Sequence, residues 1–235
     1  MITAQQLKNV FTACHNPGPW VRIFNMMVDE FDLRPDNRLA MWLAQCGYES
    51  THFNKLREGM SYSAAGLMKT WPHEFPTMSA ALPYERNPSG LANFIYANKL
   101  GNGDVGTGDG LKFRGGGLIE ITGRGQYTEV GKALNLRLDV APQMIEQPIV
   151  AARTAGWWWK QHGLNEAADA GDFDATTRVI NGRAMEGADE RRALWQAVIK
   201  QMGIPAAPKG APPGPVPHGT LDGVMTPGHR ATDTE

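Results

Sequence analysis

Residues Leu39, Trp42, Leu43 and Cys46 recur at the i, i+3, i+4, i+7 spacing of one helical face, and the run leads into "GYES" with Glu49 still in phase. A chain that buries such a stripe must pack helix on helix. Two further stretches repeat the pattern. Pro148 opens a segment through Trp157, Trp158 and Trp159 that Gly163 can close, and Ala188 to Met202 carries Leu194, Val198 and Met202 on one side with Gly203 after it. Loop-rich sequence lies between them, notably "LGNGDVGTGDGLKFRGGG" from Leu100 to Gly117. The alternation in "GLIEIT" predicts one short extended segment over Leu118–Thr122, with no set of strands after it to build a large sheet. The expected class is therefore mainly α.

With 235 residues, 42% of them hydrophobic and seven tryptophans, the chain suffices for one substantial core and a smaller lobe. From Pro205 to Glu235 the composition turns to Pro and Gly, with too few large apolar residues to offset the entropy of ordering, and a disordered tail is expected. The 23 basic and 24 acidic residues nearly balance, which gives no electrostatic reason for a nucleic-acid partner. No apolar window is long enough to span a bilayer, and the start, "MITAQQLKNVFTACHNPGPW", does not read as a secretory signal. Cys14 and Cys46 are too few for a disulfide framework, and Cys46 is expected as a buried free thiol.

Several chemistries find no foothold. Gly101, Gly103 and Gly106 fit G-x-G-x-x-G, yet no convincing strand precedes them, no clear helix follows, and Gln126 stands where an acid is needed. The six histidines show neither H-E-x-x-H nor a zinc spacing, so no metal is implied, and no G-x-S-x-G marks an acyl-transfer serine.

A pair of carboxylates survives. Glu49, on the apolar face at the end of its helix, would be partly desolvated and at the negative end of the helix dipole, both of which favour a protonated acid. A continuous helix would carry Glu58 about 13.5 Å and half a turn away. The chain must turn between them, and Ser50, Thr51, His52, Asn54 and Gly59 suit a turn. Glycoside hydrolysis uses one protonated and one ionised carboxyl in this way. Pattern alone also describes a Glu49 paired with an arginine and an exposed Glu58, a β-branched Thr122 in an extended segment, and an Asn181-Gly182 turn dipeptide. Most of the Trp157–Trp159 run is expected in the core, with at best one ring on a sugar.

Four ordered blocks narrow the choice. "AQCGYESTHF" with "LREGMSYSAAGLMKTWPHEF", then "GDGLKFRGGGLIEITGRGQY", "VINGR" and "DERRALW" together resemble the motif set of family 19 glycoside hydrolases, over about residues 1 to 203. The nearest likeness is to the phage endolysin branch. That resemblance implies a two-lobed, lysozyme-like helical fold with the cleft between lobes, a catalytic domain over 1–204, and a smaller lobe around 60–110. It places a general acid on Glu49, a second catalytic carboxylate on Glu58, and the residue that helps hold the attacking water on Thr122. Sugar contacts fall on Glu120, Gln126, Asn181 and Tyr62, and a structural arginine of the cleft on Arg191. Tyr48, Gly116, Glu120 and Arg183 depart from the pattern, where histidine, arginine, glutamine and glycine are usual. Glu120 adds an acid that could raise a neighbour's pKa by like-charge repulsion.

The expectation is an inverting endo-glycosidase on a β-1,4-linked N-acetylated amino-sugar polymer, peptidoglycan above chitin. No cofactor is required. It would act as a monomer, held in the host cytoplasm until a holin-type, pore-forming partner admits it to the cell wall, or would be delivered as a translocated effector. A catalytically silent glycan-binding or virion-structural protein of the same fold is the alternative. Retention of both Glu49 and Glu58 argues against it, since a binder needs no acid and base together.

Overall fold

The computed structural model describes residues 1–205. The Pro/Gly-rich tail expected from Pro205 onward therefore lies, but for Pro205 itself, outside the described residues.

The chain forms α1 (Ala4–Val10), α2 (Pro17–Glu30) and α3 (Asp36–Glu49), then α4 (Ala64–Thr70), α5 (Met78–Ala81), α6 (Pro88–Ile95), α7 (Asp109–Lys112) and α8 (Gly123–Leu134). It continues with α9 (Pro148–Gln161), α10 (Leu164–Asp169), α11 (Phe173–Asn181) and α12 (Ala188–Met202). The architecture is mainly α, as the periodicity requires. No helix among the described residues is long and apolar enough to cross a membrane.

Two compact units share these helices. The first takes residues 1–56, 117–119 and the described chain from 144 onward; the second takes 57–116 and 120–143. In the first unit α3 packs chiefly on α12, and α2 on α9. Trp42 is fully buried between these layers, with Phe24 edge-on to its ring at 5.5 Å. α3 ends at Glu49, and the turn beyond it is unusual. Thr51, His52 and Phe53 all take positive φ (51°, 56° and 66°), a region that side-chain-bearing residues adopt at a cost of about 1–3 kcal/mol each. Ser50 compensates by donating from Oγ to Cys46 O at 2.6 Å and accepting from Phe53 N at 2.9 Å, while Phe53 packs against Phe11 and Phe24. The ring in the core and the hydroxyl in the turn hold together what the backbone alone disfavours.

The second unit has its own core, in which Leu67, Phe75, Leu91 and Ile95 are buried with Tyr62 and Tyr96. One expectation fails. The stretch from Leu118 to Thr122 is not an extended strand but a tight turn closed by an antiparallel bridge between Gly116 and Ile121. Gly117 (φ 78°) and Glu120 (φ 55°) both enter the left-handed region, which ends the extension that the alternating sequence suggested. Gly116 also bridges Arg57, so three single-residue segments replace a sheet.

Candidate active site

The first unit supplies one carboxylate cluster. Glu49, the last residue of α3, is 7% exposed, and Arg191, in the first turn of α12, is 1% exposed. They form a buried ion pair, Arg191 Nη2 donating to Glu49 Oε1. The other guanidinium groups are also engaged, Nη1 with Gln45 Oε1 at 2.7 Å and Nε with the Glu186 carbonyl at 2.9 Å. The Tyr48 ring lies under the same guanidinium at 4.1 Å. Tyr48, a departure from the family pattern, is thus used as a platform for Arg191. Gly187, just before α12, has φ 68°, and a Cβ there would collide with the Tyr48 ring. Of the two readings of Glu49 open in the sequence, a solitary acid on an apolar face or a partner of an arginine, the structure has the second, because α12 brings Arg191 against α3.

Gln45 extends the cluster. One turn before Glu49, it donates from Nε2 to Thr176 Oγ1 at 2.9 Å and Thr177 Oγ1 at 2.8 Å, tying the pair to α11. Asn181 ends α11 and accepts from Glu186 N at 2.5 Å through Oδ1. Its side chain closes the Asn181–Glu186 loop, beyond which Arg191 lies. Arg183, where a glycine is usual, is exposed in that loop.

The second unit supplies the other cluster, around Gly115. Glu58 N donates to Gly115 O at 2.9 Å, and Gly115 N returns a bond to Glu58 Oε2 at 3.0 Å. Tyr96 Oη reaches both carboxylate oxygens, at 2.8 and 3.0 Å. Glu58 is half-buried rather than exposed. Burial pushes its carboxyl above the usual glutamate range, against the Tyr96 hydroxyl, the Gly115 amide, Arg114 and Arg57, which all pull the other way. The repulsion expected from Glu120 acts on Tyr96. Burial first, then the Glu58 carboxylate, and then Glu120 hold the phenol well above its ordinary value.

The Arg57–Gly116 bridge places Glu58 opposite Gly115, and Thr122 directly follows the Gly116–Ile121 bridge. Glu58 and Thr122 therefore each stand one residue beyond a bridge to Gly116. A Cβ on Gly115 would stand 3.1 Å from Glu58 Cβ and 3.3 Å from Glu120 Cβ, tight on both sides. Thr122 donates its hydroxyl proton to Glu120 O at 2.7 Å, which leaves the oxygen lone pairs to accept. Gln126 Oε1 accepts from Thr122 N at 3.3 Å and so helps cap α8. Tyr62, expected on the sugar, is 7% exposed and packs edge-on against Trp71 at 5.0 Å in the unit's core.

Of the predicted residues, Glu49, Asn181 and Arg191 thus gather in the first unit, and Glu58, Thr122, Glu120 and Gln126 in the second. Gln45 and Tyr96 were missed. Gln45 was detectable as a polar residue one turn from Glu49 inside an apolar run. Tyr96, 38 positions from Glu58, carried no local signal.

No family model matches the chain. A glycosyl hydrolase family 19 domain-containing protein of Haemophilus influenzae is 43% identical over 161 residues, covering 68% of this chain and 78% of that protein. The chain belongs to glycosyl hydrolase family 19 and is a chitinase-like glycoside hydrolase. An endochitinase of Arabidopsis thaliana is 39% identical over a shorter stretch of 79 residues, 33% of this chain and 27% of the relative. The fold is similar to that of chitinase C from Streptomyces griseus, with a TM-score of 0.59 at 16% identity over 88% of this chain and 95% of that one.

Proposed function

We propose that the protein is an inverting glycosidase of bacterial peptidoglycan, cleaving the β-1,4 bond that follows N-acetylmuramic acid. The observation that carries the mechanism is the bridging of Gly116 to both Arg57 and Ile121, which sets Glu58 and Thr122 each one residue beyond a bridge to the same glycine. Glu58 is the base, taking a proton from the attacking water, and the Thr122 oxygen, its own proton committed to Glu120 O, accepts the water's other hydrogen. Burial lifts the base toward a pKa at which it can both be ionised and accept a proton. Glu49 is the acid that protonates the leaving oxygen. To act it must first take up a proton; on giving that proton to the leaving oxygen it returns to the anion that Arg191 pairs with, so the charge formed in the reaction meets a preorganised guanidinium.

Peptidoglycan as substrate is supported by the endolysin-like blocks around Glu49, Glu58 and Thr122. Chitin is the second reading, favoured by the relatives and similar structures named as chitinases. On the first reading the enzyme works on the cell wall after release from the host cytoplasm by a pore-forming partner.

Digestion of purified peptidoglycan, borohydride reduction and mass spectrometry should give reduced N-acetylmuramic acid ends. Reduced N-acetylglucosamine ends would make it a glucosaminidase, and turnover of chitin oligosaccharides alone would make it a chitinase. NMR of the first product should show the α-anomer, because a water attacks opposite the leaving group. An initial β-anomer would overturn the base role of Glu58.

A further inference from the structure

The Glu58 carboxylate is gripped from two directions by neutral donors. Gly115 N holds Oε2, and Tyr96 Oη lies 2.8 Å from Oε1 and 3.0 Å from Oε2. One hydroxyl has one proton, so near-equal distances describe a phenol centred over the carboxylate and shared by its two oxygens. The phenol is itself immobile. Tyr96 is 4% exposed, caps α6 through its amide to Ala92 O at 3.1 Å, and accepts through its carbonyl from Asn102 Nδ2 at 3.0 Å. Asn102 in turn accepts from Arg124 N at 2.8 Å, tying Tyr96 to the start of α8, the helix that Thr122 opens.

We propose that Tyr96 is a positioning residue for the base, its hydroxyl fixing the orientation of the Glu58 carboxylate toward the water that Thr122 holds. This rests on the reading of Glu58 as the base. Buried in the unit's core, Tyr96 acts through Glu58 and not on the sugar. The charged and titratable groups acting on the pair are Arg57 and Arg114, which attract the carboxylate, and Glu120 and Tyr62, which act on the phenol. A donated hydrogen bond favours the ionised carboxylate. Without it, burial acts on Glu58 with less opposition, and the carboxyl holds its proton to higher pH.

Tyr96→Phe keeps the ring, the α6 cap and the Asn102 contact, since the last two use the backbone. The expected result is a shift of the acid limb of kcat/KM to higher pH. On that limb activity should fall roughly tenfold, the scale of one hydrogen bond to a charged group. The deficit should narrow as pH rises, with KM nearly constant. A merely structural tyrosine would lower the whole profile and the melting temperature together and leave the limb in place. An independent readout needs no turnover: in protein carrying 13C-labelled glutamate, the Glu58 carboxyl resonance, assigned by its loss in Glu58→Gln, should titrate at higher pH in folded Tyr96→Phe. An unmoved titration overturns the proposal. If Glu58→Gln stays active while the titration moves, the contact stands and the base assignment falls instead.

Discussion

The two carboxylates differ in what holds them. Glu49 is met by a formal charge, the guanidinium of Arg191, with both side chains almost wholly out of water. Glu58 is met by a phenol and a backbone amide and keeps part of its surface exposed. A buried ion pair makes each partner depend on the other, because either alone is an uncompensated charge in a low-dielectric interior. A carboxylate whose hydrogen bonds come from neutral donors leaves no hydrogen-bonded charge behind when it is removed, and Arg57 and Arg114 lose only a through-space attraction. The acid of the proposed reaction is therefore structural as well as chemical, and the base is chemical alone.

The largest effect follows from the ion pair. Arg191→Met should destabilise the protein by about 3–5 kcal/mol, the loss found when a buried pair is broken from one side. Urea unfolding measures it. Glu49→Leu combined with Arg191→Met should recover much of the loss, since two apolar side chains leave no charge unmatched. A double variant as unstable as the single one would show that Arg191 stabilises through Gln45 and the Glu186 carbonyl, not through Glu49.

Next in size are the losses of turnover. Glu49→Gln and Glu58→Gln should each lower kcat by at least about a hundredfold, within the range for removing a general acid or base. Only Glu49→Gln should also lower the melting temperature, because it leaves the Arg191 charge without its anion. Equal stability of the two variants would mean that the Arg191 pairing adds nothing to the role of Glu49 in the fold.

These contrasts mark how far the sequence could be read. The spacing of Leu39, Trp42, Leu43 and Cys46 gives α3, and the Pro148 and Gly203 punctuation gives α9 and the end of α12, because local periodicity and capping are carried by neighbouring residues. The Glu49–Arg191 pair joins positions 142 residues apart, and the Tyr96–Glu58 contact 38 apart, so neither is written in any window. The resemblance marked Arg191 as structural without naming its partner. The Leu118–Thr122 turn was misread for a different reason. Alternation predicts extension only where φ stays negative, and Glu120 takes φ 55° without being a glycine.

Gly115→Ala sharpens the comparison from the second unit. The new methyl would press on Glu58 Cβ at 3.1 Å and Glu120 Cβ at 3.3 Å. The side chains must give way by a few tenths of an ångström, and Glu58 is held in place by Tyr96 and the Gly115 amide. A roughly tenfold loss in kcat is expected, since small misplacements of a catalytic group are amplified in rate. Circular dichroism melts should change little. A fully active Gly115→Ala would mean that the orientation of Glu58 matters less than its presence.

The smallest effect separates the two carboxylates by pH. Burial raises the Glu58 carboxyl above its value in the unfolded chain, so the folded state binds that proton more tightly than the unfolded state does. Its contribution to stability is fully present below the ordinary glutamate pKa of about 4.3 and is lost as pH rises through the raised folded value. A neutral glutamine has no such dependence. Relative to the wild type, Glu58→Gln should therefore gain in melting temperature as pH rises through that window and then level off. The change should be less than about 4 °C, the scale of 1 kcal/mol in a chain of this size. Glu49→Gln should instead melt below the wild type at neutral pH, where its partner Arg191 keeps its charge whatever happens to the carboxylate. Differential scanning calorimetry across the acid range decides it. A Glu58→Gln curve that falls relative to the wild type as pH rises would show that the Tyr96 and Gly115 donors, not burial, dominate the environment of the base.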